Sequence, residues 1–164
     1  MKIIAIILLL SVCLAVQAED EQLATPNAVK TEIHKHGSKS VVNSIFNTKS
    51  WGIIINGIAS GEPQWLDVAK LLASGSDAGS ASELRDAVAW ALPHSPKEVI
   101  LLANEEWLFN DTCSGPPVDE PPGGYKKYFE LSIEAVTNIS DPKLKRLKLE
   151  CIKKLNAAKE RPAW

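Results

Sequence analysis

An all-α domain of about eight short helices, arranged as an irregular bundle or a short HEAT-like array of helix pairs and braced by one disulfide, is what this chain predicts. Three features carry that expectation. Capping residues stand directly before proline at Thr25-Pro26, Ser95-Pro96 and Asp141-Pro142, which is how helices open. Apolar residues between these points recur at three- and four-residue spacings, one face of a helix. Cys113 and Cys151 lack the close spacing of metal ligands and suit a single crosslink.

Thr25-Pro26 opens a first helix ending at Gly37, with His34 and His36 in its last turn, where positive charge complements the helix dipole. A second helix is expected over Lys39 to Asn47. From Ser50 to Ser60 two readings compete. Trp51, Ile54, Ile55 and Ile58 share a helical face, whereas Ile53-Ile54-Ile55 before Asn56-Gly57 has the pattern of a strand entering a tight turn. Helix is preferred because Gly61 and Pro63 frame the segment as one more helix in a series. Pro63 then starts a helix with the stripe Trp65, Leu66, Ala69 and Leu72, closed by Gly75.

Ser80-x-x-Glu83 has the spacing of a capping box and is expected to open the next helix, which carries Leu84, Ala87, Val88, Ala91 and Leu92 and stops before Pro93. Ser95-Pro96-Lys97-Glu98 repeats the device, opening a helix over Val99 to Ala103 that extends toward Trp107 in its longer form. Residues 109–124 hold Gly115, Pro116, Pro117, Pro121, Pro122, Gly123 and Gly124, which excludes regular helix there. Two helices close the chain, about Tyr125 to Asn138 and, behind Asp141-Pro142, about Lys143 to Lys159. In the last, Leu144, Leu147, Cys151, Leu155 and Ala158 share a face. The helix-opening prolines at 26, 63, 96 and 142 are 37, 33 and 46 residues apart, lengths that suit helix-pair repeats.

Met1 to Ala18 reads as a secretory signal peptide: Lys2, an apolar run from Ile3 to Leu14, and small residues at Val16 and Ala18. The apolar run falls short of the roughly 20 residues that span a bilayer, so no stable membrane insertion is expected after cleavage. Cleavage leaves 146 of the 164 residues, the size of one domain, 19–164. That mature chain has 17 basic and 20 acidic residues, a net charge of −3 that argues against a nucleic-acid partner. Asp141 to Trp164 holds eight basic and three acidic residues, so the remainder is strongly acidic. Cys13 leaves with the signal, and an oxidising compartment then favours a Cys113–Cys151 bond. It closes a loop of about 39 residues, which the chain-entropy model values at roughly 4 kcal/mol.

Candidate chemistry is sparse, and neither a metal nor a cofactor is expected. His34 and His36, two apart on a helix, point about 200° away from each other and cannot chelate one ion. His94 sits in a turn. The serines from Ser74 to Ser82 lack both the nucleophile-elbow spacing and the lysine of a phosphate loop. Glu105, Glu106 and Asp111, near Trp107 and Phe109, are the best acidic group. Two such carboxylates hydrolyse glycosides when apolar surroundings keep one of them protonated. Trp51, Trp65 and Trp90 fall on apolar stripes and are expected in the core, whereas Trp107 and Trp164 adjoin irregular chain, where tryptophan serves as an interface anchor. Asn110-Asp111-Thr112 and Asn138-Ile139-Ser140 fit the N-glycosylation acceptor in a eukaryotic secretory pathway.

Trp65-Leu66-Asp67-Val68-Ala69, the Asp77-Ala78-Gly79 turn, Ala91-Leu92-Pro93-His94-Ser95-Pro96 and the cysteine of the last helix resemble a family of small exported, periplasmic helical proteins of bacteria, over residues 50 to 156. A signal peptide, a helical body and one disulfide are in turn similar to periplasmic immunity proteins that neutralise type VI secretion effectors. That resemblance implies a protein partner and carries no catalytic residues. The expected function is therefore an exported binding protein, an inhibitor or immunity protein for another extracytoplasmic protein. Its expected partner-binding residues are Trp107, Phe109, Asp111, Asp119 and Glu120, within a loop held on a rigid frame. The other classes are a small secreted hydrolase using the acids near Trp107 and a structural or chaperone-like helical repeat.

Overall fold

The structure, a computed structural model, describes residues 23–114 and 124–160. The expected signal peptide, Asp119, Glu120 and Trp164 lie outside the described residues. The described residues form eight α-helices and no strand: α1 Pro26–His36, α2 Ser38–Ile45, α3 Lys49–Ala59, α4 Pro63–Ala73, α5 Ala78–Ala91, α6 Pro96–Glu105, α7 Gly124–Thr137 and α8 Lys145–Lys159. Short 3-10 turns lie at Trp107–Phe109 and Pro142–Leu144.

Most helix starts follow the expected chemistry. Thr25 Oγ1 accepts the Ala28 amide at 3.3 Å, ahead of Pro26, and the Asp141 carboxylate accepts the Lys143 amide at 3.0 Å, ahead of Pro142. That amide bond and the neighbouring Lys97 ammonium hold the Asp141 carboxyl below its usual range. The ambiguous segment is α3, opened by Thr48, whose hydroxyl accepts the Trp51 amide. Trp51, Ile54 and Ile58 are buried on one stripe, so helical spacing prevails over the strand propensity of three consecutive isoleucines.

Two caps differ from the sequence reading. The capping box of α5 pairs Asp77 with Ser80, three residues earlier than expected: the Asp77 amide donates to Ser80 Oγ at 3.0 Å, and Ser80 is buried at the third helical position. Glu83 then serves another end, its carboxylate accepting Trp51 Nε1 at 2.6 Å and tying α5 to α3. Ser95 precedes α6 but makes no side-chain cap; its hydroxyl donates to the Gly61 carbonyl at 2.5 Å, across the gap between two loops. In both places a tertiary partner outcompetes the local amide.

The core grows from α4. Trp65, Leu66, Val68, Ala69, Leu72 and Ala73 are all buried, because α1, α2, α3, α5 and α6 pack around this helix. Helices α1 to α3 pack on α4 and α5, these on α6, and α6 on α7 and α8. The intervals between helix-opening prolines hold unequal sets, three helices in the first and two in the second, so the stack is an irregular one. At its far end Tyr128 donates its hydroxyl to the Ala89 carbonyl at 2.9 Å and sits edge-on to Trp90 and Phe129. Burial pushes the Tyr128 phenol well above its ordinary pKa.

Close packing of α3 on α4 depends on Gly57, where an added Cβ would come within 2.5 Å of the Trp65 indole. Trp65 is itself buried and cannot swing aside. Gly57→Ala should therefore lower unfolding stability by about 1–3 kcal/mol through overpacking. Gly52→Ala, in the same helix but with open space at the Cβ position, should raise it by about 0.5–1 kcal/mol. Urea denaturation of the two variants checks both signs.

Candidate functional site

After α6 the chain turns so as to put one aromatic outside and the next inside. Glu106 closes the helix, its amide donating to the Leu102 carbonyl at 2.9 Å, and Trp107–Phe109 continue as one 3-10 turn. At three residues per turn, adjacent side chains point about 120° apart, so the three cannot share an environment. Leu108 and Phe109 are buried, while Trp107 stands 78% exposed, the most exposed large apolar side chain among the described residues.

Burial of Leu108, Phe109 and Thr112 and two bonds to α8 fix this turn to the body. Thr112 is buried and donates its hydroxyl to the Phe109 carbonyl at 2.7 Å, tightening the next turn. Cys113 is bonded to Cys151 on α8, with sulfur atoms 2.04 Å apart, as the cysteine count led one to expect. Lys154, one turn beyond Cys151, donates to the Asn110 carbonyl at 3.2 Å. Apolar burial, a covalent bond and a charge-assisted hydrogen bond thus converge on residues 107–113.

Between α6, this turn and α8 lies a groove of ≈ 250 Å³. Ile100, Ala103, Leu147 and the disulfide form its apolar floor, and Asn104, Asn110, Glu150 and Lys154 its polar rim. Glu150 is paired with Arg146 at 2.8 Å. Chemically the groove offers amide and charged groups around a small apolar depression.

Of the expected partner-binding residues, Trp107 and Asp111 are exposed, as is the groove's Asn110, and Asp119 and Glu120 lie outside the described residues. Phe109 is a correction. It is 1% exposed and so is part of the core that holds Trp107 up, because the 3-10 turn rotates it inward. The acidic trio is dispersed in role. Glu105 is half exposed and paired with Lys70 of α4 at 2.6 Å, a bond that raises the lysine's pKa. Asp111 is exposed, and its carbonyl accepts the Ser114 amide. A glycosidase acid needs an apolar enclosure, and the solvated, ion-paired Glu105 has none.

His34 Nδ1 lies 2.6 Å from the Lys30 carbonyl and His36 Nε2 3.4 Å from Glu32, so the two rings face different partners. No cluster of three side chains able to hold a metal occurs among the described residues, and none of their helices is long and apolar enough to cross a membrane. Sequence reasoning missed Lys154, whose signal was available: three residues past Cys151 on a helix, it lies on the cysteine's side.

The crosslink closes a separation of 38 residues, for which the chain-entropy model gives about 4 kcal/mol. Cys113→Ser with Cys151→Ser should lower stability by roughly that amount in denaturant titrations, and mild reduction of the native protein should reproduce the loss. No protein-family model, curated protein or solved structure matches the chain.

Proposed function

We propose that the protein is an exported binding protein of inhibitor or immunity type, which contacts another extracytoplasmic protein through the disulfide-anchored turn around Trp107. The observation that carries this reading is Trp107 itself, 78% exposed on a turn whose neighbours Leu108 and Phe109 are buried. A lone exposed indole gains nothing for folding. On a fixed frame it docks with little loss of conformational freedom, which is why tryptophan dominates interface hot spots.

Export is supported by the signal-type N-terminus together with the crosslink, since disulfides persist in oxidising compartments. The groove of Asn104, Asn110 and Lys154 extends the contact surface beyond the indole and supplies the polar rim that interfaces carry.

Affinity capture from an extracytoplasmic extract tests the reading. The wild-type protein should retain one partner in stoichiometric amount, and Trp107→Ala should lose it while keeping its stability within about 0.5 kcal/mol of wild type, as expected of an exposed position. Several weak partners retained regardless of Trp107 would instead fit a chaperone-like repeat and would contradict the proposal.

A further inference from the structure

Asn104 and Asn110, three residues before and three after Trp107, both line the groove, yet the indole between them stands 78% exposed and is not among its walls. The groove has the size that such a ring needs. A cavity of about 150 Å³ holds the six carbons of benzene, so the nine ring atoms of indole need about 225 Å³ at the same packing, against the ≈ 250 Å³ here. Its floor of Ile100, Ala103, Leu147 and the disulfide is apolar. Charge at this place has both signs. Asp111 of the turn and Lys154 of α8 are exposed, and among the described residues neither joins an ion pair, whereas Glu105 is held by Lys70 and Glu150 by Arg146. The Cys113–Cys151 bond and the hydrogen bond from Lys154 to the Asn110 carbonyl keep the two signs on one surface.

We infer that this surface pairs with a second copy of the chain about a two-fold axis, the Trp107 indole of each copy entering the groove of the other and Asp111 of each facing the other's Lys154. A surface that offers both an apolar knob and a hollow for it, and both signs of charge, is self-complementary, and two-fold pairing makes each contact twice. A partner of one charge sign would meet like charge beside the unlike. The pairing is weak and reversible. Two tryptophans bring about 300–500 Å² to the contact, which keeps it near the low end of protein interfaces, below the roughly 1,200 Å² of stable ones. It goes beyond the proposed binding of another protein and does not rest on it. Such a target takes Trp107 from a copy that has separated from its mate.

Sedimentation equilibrium of the whole mature protein, loaded from about 10 μM to about 1 mM, reads the pairing. The expected result is a reversible monomer–dimer equilibrium with a dissociation constant of about 10–500 μM. That constant should rise several-fold between low salt and about 0.5 M. Trp107→Ala should raise it about tenfold or more, with melting temperature unchanged, as for an exposed position. The same variant leaves the groove open, so N-acetyltryptophanamide added to about 10 mM should shift the NMR signals of the Ile100, Ala103 and Leu147 methyl groups. Each of the following overturns the inference and leaves the binding reading standing: wild type still monomeric at about 1 mM, a dimer that Trp107→Ala or salt leaves intact, growth past the dimer into open chains, or methyl signals indifferent to the probe. Failure to capture any Trp107-dependent target overturns the binding reading alone.

Discussion

The bond between Cys113 and Cys151 is the constraint on which the turn around Trp107, the proposed contact surface, depends. Without it, residues 107–113 would be held, among the described residues, by the burial of Leu108, Phe109 and Thr112 and by the hydrogen bond from Lys154. With it, the turn that lifts Trp107 into solvent is fastened to the buried side of the last helix. An exposed aromatic on a tethered frame differs in kind from one on a free loop, because ordering it on contact costs little conformational entropy.

The rest of the fold supplies the platform. Helix α4 is apolar on most of its surface because five helices surround it, and glycine at 57 lets α3 close onto the Trp65 ring. Polar side chains then act as ties between elements: Trp51 to Glu83, Ser95 to Gly61, Tyr128 to Ala89. Each fills a backbone or side-chain valence that burial would otherwise leave unmet. Surface ion pairs such as Lys70–Glu105 set local charge more than they set stability.

Much of the fold was legible because its signals are local. Proline behind Thr25, Glu62, Ser95 and Asp141 marked four helix or turn starts, and the spacing of Trp51, Ile54 and Ile58 marked α3. What was not legible depends on partners distant in sequence or on the exact placing of a cap or turn. Ser80 and Glu83 look like a box by themselves, yet Asp77 takes Ser80 and the α3 indole takes Glu83. Phe109 and Trp107 look alike beside a loop, and only the rotation of the 3-10 turn separates a core residue from an exposed one. The groove was invisible for the same reason: its floor joins α6 to α8 across some fifty residues of chain.

Counting free thiols in protein isolated from its native compartment and unfolded under non-reducing conditions addresses the central constraint most directly. The account predicts none on Cys113 or Cys151, with a single crosslinked peptide joining them after digestion. Both cysteines recovered as free thiols in otherwise folded, functional protein would contradict it.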